Sequence, residues 1–228
     1  MPALITVLAI LLSSHLSGAP PIPQNQRTAR QIAQAFDAHY HQVRTLAGYF
    51  LEKYTSGGSG LLVESGTVYF EKPGRMRWDY DSPEKKMFLD DGKNIWFYVP
   101  ADHTASRTPA KQSTDWRTPL ALLAGKVDLE RLCGSLSLGQ SSTAEADDSV
   151  LICKPRKADE NVFSQVLLEL NSQNQLVRLD IEQPGDLEMD FNFGDWHEDA
   201  PIEAAKFHFE PPRGVAIVDD AELVKQAQ

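Results

Sequence analysis

Residues 65–99 read SGTVYFEKPGRMRWDYDSPEKKMFLDDGKNIWFYV. Apolar and polar residues alternate through 67–72, 75–80, 86–90 and 94–99. Turn residues separate these segments: Pro73-Gly74, Ser82-Pro83 and Asp91-Gly92. Period-two alternation between turn signals predicts antiparallel strands joined by short hairpins. Asp91-Gly92 predicts a two-residue type I′ turn, which needs positive φ at both positions. One face of the meander then carries Val68, Phe70, Met76 and Trp78, beside a single basic residue, Lys72.

The rest of the chain extends this pattern. Ile32, Phe36, Tyr40 and Val43 recur at helical spacing and predict an amphipathic helix over 28–46. Thr28 with Gln31 makes a capping box at its start. Residues 46–54 read as extended, and Gly57-Gly58-Ser59-Gly60 as a turn. Residues 101–114 are polar, either a loop or an exposed strand pair. Thr118-Pro119 opens a short apolar helix carrying Leu120, Leu122 and Leu123, closed by Gly125. Further strands are expected at 135–140, 149–154, 163–170, 175–182, 187–193 and 205–209. Leu187, Met189, Phe191 and Phe193 alternate with Glu188, Asp190 and Asn192, the clearest one-face-apolar strand in the chain. The expected fold is mainly β (α+β). About ten or eleven strands form a curved antiparallel sheet, a half-barrel with short helices over its concave face.

Composition narrows the function. The chain has 228 residues and a formal net charge of −10. A nucleic-acid binder usually presents a basic face, so that role is disfavoured. There is no phosphate loop, Gly-x-Gly-x-x-Gly, His-Glu-x-x-His or calcium loop, and no Cys/His cluster. Neither enzymatic activity nor a metal or cofactor is expected. Residues 3–12 form an apolar run too short to cross a bilayer as a helix, which needs about twenty residues. Ser17-Gly18-Ala19 follow as small residues do near a secretory cleavage site. Residues 1–19 are therefore expected to be a signal peptide, and 20–228 one domain. In an exported chain Cys133 and Cys153 read as a disulfide; in a cytosolic one they would be two buried thiols.

Three blocks carry a family resemblance. The first is 65–99, with a basic residue before Pro73, the Trp78 strand, and Asp91-Gly92-Lys93 running into Trp96-Phe97-Tyr98. The second is Thr118-Pro119-Leu120-Ala121-Leu122-Leu123-Ala124. The third is Ala204-Ala205-Lys206-Phe207-His208-Phe209 followed by Pro211-Pro212-Arg213-Gly214-Val215. Together the chain resembles the outer-membrane lipoprotein carrier (LolA) family. The resemblance implies a periplasmic carrier that holds the acyl chains of lipoproteins in an apolar hollow. It implies an inner-membrane ABC transporter that loads it and an outer-membrane receptor that unloads it. It also implies that the basic residue before Pro73 hydrogen-bonds a lid and holds it shut. The family commonly has Arg there; this chain has Lys72, a single ammonium without the planar fork.

On this reading the hollow is lined by Val68, Phe70, Met76, Trp78, Leu89 and Trp96, with Leu187, Met189, Phe191 and Phe193 from the far part of the sheet. The lid presents Ile32, Phe36, Leu120 and Leu123, and Lys72 is its latch. A monomer is expected. Two other functions fit a lipid-binding half-barrel: a periplasmic sensor or regulatory module, and a carrier for another lipid or a glycolipid. The sensor would need a further partner-binding domain, for which this chain is short.

Overall fold

The computed structural model describes residues 27–56, 60–110, 123, 128–156 and 163–219. The expected turn at Gly57–Ser59, the expected signal peptide and the expected Thr118-Pro119 helix apart from Leu123 lie outside the described residues.

Helix α1 spans Ala29–Gln42. Thr28 caps it, its hydroxyl accepting from the Gln31 N–H while the Gln31 side chain accepts from the Thr28 N–H. Ile32, Ala33, Phe36 and Tyr40 are buried on one stripe. The helix stops short of the expected residue 46 because Val43 turns extended and the chain enters a strand.

Among the described residues, twelve strands form one sheet: β1 Thr45–Ser56, β2 Gly60–Glu71, β3 Arg75–Ser82, β4 Lys86–Asp90, β5 Asn94–Val99 and β6 Thr104–Pro109 come first. After the four-residue helix α2, Leu129–Leu132, follow β7 Cys133–Leu138, β8 Ser149–Pro155, β9 Gln165–Leu170, β10 Leu176–Gln183, β11 Leu187–Glu198 and β12 Ala216–Asp219. The spatial order is β12-β6-β5-β4-β3-β2-β1-β11-β10-β9-β8-β7. Two meanders of consecutive hairpins are thus joined by the β1–β11 pair.

The sheet is strongly curved. Adjacent strands lie about 4.8 Å apart, so β3 and β11, with two strands between them, would stand about 14 Å apart in a flat sheet. Yet the rings of Trp78 on β3 and Phe191 on β11 have centroids 5.5 Å apart. Bulges help the bend: register shifts at Ser65/Gly66 and between Ala47 and Tyr49. At the first, a Cβ on Gly66 would sit 2.0 Å from the Asp79 carbonyl oxygen, so only glycine permits that approach of β2 to β3.

Three expectations need correction. The pairs are antiparallel except β12, which lies parallel to β6. After β11 the chain crosses the outer face to reach the far edge, and so arrives running in the same direction as β6. The expected strand at 205–209 is instead a 3-10 turn, Ala204–Phe207. Its alternation reflects Phe207 and Phe209 packing onto the outer face, and Pro211 and Pro212 have no N–H for a ladder. At the β4–β5 hairpin Gly92 has φ +91, but Asp91 does not have positive φ. The Asp91 carboxylate accepts from the N–H groups of Lys93 and Asn94, making a three-residue turn instead of type I′.

The disulfide joins Cys133 at the start of β7 to Cys153 in β8, with Cα atoms 5.3 Å apart. Among the described residues, no helix is long and apolar enough to cross a membrane.

Candidate functional site

Residues opposite one another across a ladder point to the same face. Trp78 is opposite Val68 on β2 and Phe88 on β4, and Phe88 is opposite Phe97 on β5. In the other direction Phe50 on β1 faces Phe193 on β11, Phe191 faces Leu179 on β10, and Leu179 faces Leu168 on β9. One continuous apolar face therefore runs over the concave side from β5 to β9. Trp78 is its centre. Its ring lies 4.7 Å from Phe50, 5.5 Å from Phe191, 6.2 Å from Phe193 and 6.3 Å from Phe70, mostly edge to face.

Val68, Phe70, Met76, Trp78, Met189, Phe191 and Phe193 are all buried in this one cluster. Leu187 shares their phase on β11 but sits half-buried at the end of the strand, opposite Ser56. Leu89 and Trp96 do not belong to this face, a correction to the expected lining. Leu89 pairs with Arg77 and Trp96, on the outer side of the sheet. There they pack with Met87 and Phe207, and Trp96 meets Phe209 at 5.4 Å. The reason is phase: β4 and β5 are apolar on both faces, because the segment after β11 covers the outer one.

Helix α1 covers the concave face with Ile32, Phe36 and Tyr40. Leu123 is buried in the same cluster, while Leu120 lies outside the described residues. Polar ties surround this contact. The Lys72 ammonium donates to the Tyr40 carbonyl oxygen near the helix C-terminus, where a cation also meets the favourable end of the helix dipole. The Tyr40 hydroxyl accepts from the Leu176 N–H at 3.0 Å. His39 meets Glu198 at 2.8 Å and His41 meets Asp128 at 2.7 Å. Asp37 accepts from the Leu129 N–H at 3.0 Å. Burial pushes the Asp37 carboxyl up, against that N–H, which favours its charged form. Burial likewise pushes the Lys72 ammonium down, with Asp199 opposing. The helix is thus held at its rim by single hydrogen bonds and on its underside by apolar contact.

One group escaped the sequence reading. Glu52, in phase with Phe50, and Glu64, in phase with Gly66, are 5% and 8% exposed at one end of the concave face. Tyr80 donates to Glu52 at 2.9 Å, and Lys86 to Glu64 at 2.6 Å. Their period-two phase was the available signal, masked because a charged residue in a strand is ordinarily placed outside.

The outer face of β10 and β11 carries carboxylates instead. Burial first, then Glu188, pushes the Asp180 carboxyl up to about 6, while Arg178 opposes. The native protein therefore holds a proton there, between the ordinary carboxylate range and about pH 6, that the unfolded chain has released. Stability should fall as pH rises through that window and stay level above it. Asp180→Asn is expected to raise stability at pH 7 by on the order of 2 kcal/mol and to flatten the dependence, measured by urea unfolding at pH 4.5 and 7. An unchanged slope would refute this.

The sequence matches the profile of the family described as outer membrane lipoprotein carrier protein LolA over residues 41–210. The chain belongs to the LolA family. It is similar to the outer-membrane lipoprotein carrier protein of Coxiella burnetii strain CbuK_Q154, 30% identical over 217 residues, which cover 94% of this chain and 96% of that one. It is 28% identical to the carrier of Nitrosospira multiformis over 158 residues, 68% of this chain and 72% of that one. Among solved structures, an uncharacterized conserved protein from Thermus thermophilus superposes with a TM-score of 0.53 at 12% identity, covering 84% of this chain and 99% of its own, a likeness of fold alone. A LolA protein is a carrier of lipoproteins and not an enzyme.

Proposed function

We propose that this protein carries lipoproteins across the periplasm by holding their acyl chains against the concave face. The inner-membrane ABC transporter loads it and an outer-membrane receptor accepts the cargo. The observation that carries the reading is the continuous apolar face from β5 to β9 under helix α1, in a chain of the LolA family. An acyl chain of about fifteen methylenes costs on the order of 12 kcal/mol in water. Crossing an aqueous compartment therefore needs a surface of this kind, and release needs one that can close again. Met76, Met189 and the aromatic rings suit an adaptable pocket. Helix α1 is the lid, with Ile32, Phe36 and Leu123 on the apolar side of the closure and Lys72 as the latch. The scheme gives the carrier no energy source of its own, so transfer runs down a gradient of affinity.

The test is a detergent-free mixture with a purified lipoprotein and with the same polypeptide lacking its acyl chains, read by native mass spectrometry. A one-to-one complex with the acylated form alone is expected. Binding of both forms, or of neither, would sink the reading. Capture of a free lipid or glycolipid in preference to the lipoprotein would move the cargo to that class.

A further inference from the structure

Trp78 sits at the centre of the concave face with its ring fully buried, yet its indole N–H has no hydrogen-bond partner among the described residues. Among the described residues, two other buried side-chain atoms share that condition, Glu71 Oε2 and Asp180 Oδ1. Each belongs to a carboxylate that is ion-paired, with Arg75 and Arg178 respectively. Trp78 is different: the N–H is its sole polar side-chain atom. A buried donor left unmade is costly, and such atoms in native proteins are rare enough to call for a reason. Phenylalanine would fill much of the same space without that cost. The surrounding rings of Phe50, Phe191, Phe193 and Phe70 fix the indole but offer no oxygen, and Tyr80, stacked on it at 6.5 Å, gives its hydroxyl to Glu52.

We infer that the Trp78 indole N–H is a recognition donor for the carbonyl oxygen of an acyl ester or amide on the cargo. The inference rests on the carrier reading. An aliphatic chain has no acceptor. The acceptor that an acylated cargo brings into an apolar hollow is the carbonyl joining chain to head. A donor held in that hollow therefore separates acyl chains from alkyl chains of equal length. It also favours loading, because the cargo supplies the hydrogen bond that the closed protein lacks.

The experiment compares two probes with the full-length mature protein: 1-monopalmitoylglycerol, an ester, and 1-O-hexadecylglycerol, its ether. Both are measured by calorimetry against wild type and Trp78→Phe. Wild type is expected to bind the ester about tenfold more tightly than the ether, and Trp78→Phe to bind the two alike. Equal affinities in wild type, or loss of both probes alike in the variant, would overturn the inference and leave Trp78 as packing. Binding of neither probe by a wild type that still takes the acylated lipoprotein would overturn the inference alone; failure with the lipoprotein as well would overturn the carrier reading. A second readout needs no variant to fold. The indole resonance of Trp78 in a 15N-labelled protein should move downfield with the ester and stay with the ether; a downfield move with both, or with neither, counts against the N–H.

Discussion

Phe191→Ala is expected to destabilise the protein by about 4 kcal/mol, the upper part of the range for a buried aromatic cut to a methyl. Phe191 is fully buried in the middle of β11, opposite Glu52 on β1 and Leu179 on β10. Its ring meets Trp78 at 5.5 Å and stacks on Phe193 at 6.1 Å. Truncation removes a contact that bridges the two meanders and leaves a void that flanking strands cannot close, because their ladders hold their spacing. For a domain of this size the melting temperature should fall by roughly 10 °C. Thermal unfolding checks it. The size of the loss also reports on the empty carrier. A drop under about 1 kcal/mol would mean that the concave face is not packed in solution and that the hollow stands open without cargo.

The second large effect is expected at Cys133–Cys153. Removing the bridge, by reduction or by serine at both positions, should cost about 3 kcal/mol from the freed loop in the unfolded chain. The local consequence is sharper than the total. Strand β7 stands at one edge of the sheet and, among the described residues, pairs with β8 alone. Helix α2 runs directly into it, and Arg156 ties the two by donating to the carbonyls of Glu130 and Cys133. Helix α1 in turn leans on α2 through the Asp37 and His41 contacts. The bridge thus anchors one support of helix α1. Hydrogen exchange in β7, α2 and α1 should quicken on reduction, while β2 to β5 change little. Uniform exchange and an unaltered melting temperature would show the bridge to be dispensable.

Much of this was legible in the residues. The phase of Val68, Phe70, Met76 and Trp78 follows from alternation alone, as does that of Met189, Phe191 and Phe193. The capping box placed α1. What alternation could not supply is the relation of one strand's phase to the next. Met87-Phe88-Leu89 and Ile95-Trp96-Phe97 are apolar throughout. Choosing Phe88 for the inside requires knowing that it stands opposite Trp78, and that depends on how many residues the turn around Pro83 consumes. The outer cover formed by Phe207 and Phe209 comes from a remote part of the chain, so nothing local to β4 or β5 reports it. The parallel seat of β12 depends on the same crossing.

The order of strands also sets a schedule for assembly. Every strand pair except β1–β11 and β6–β12 joins consecutive strands, so a chain can make it by folding back on its latest segment. The β1–β11 joint cannot form that way: just before it, the Arg44 N–H bonds the Asp199 carboxylate, 155 positions further on. Until β11 is available, β1 has one bare edge, and the hollow has one wall. Non-local pairings of this kind slow folding and leave an edge open to wrong partners in the meantime. A chain delivered amino end first therefore spends almost its whole passage with that edge unguarded. It needs shielding while incomplete, and gains its continuous apolar face in a single late step.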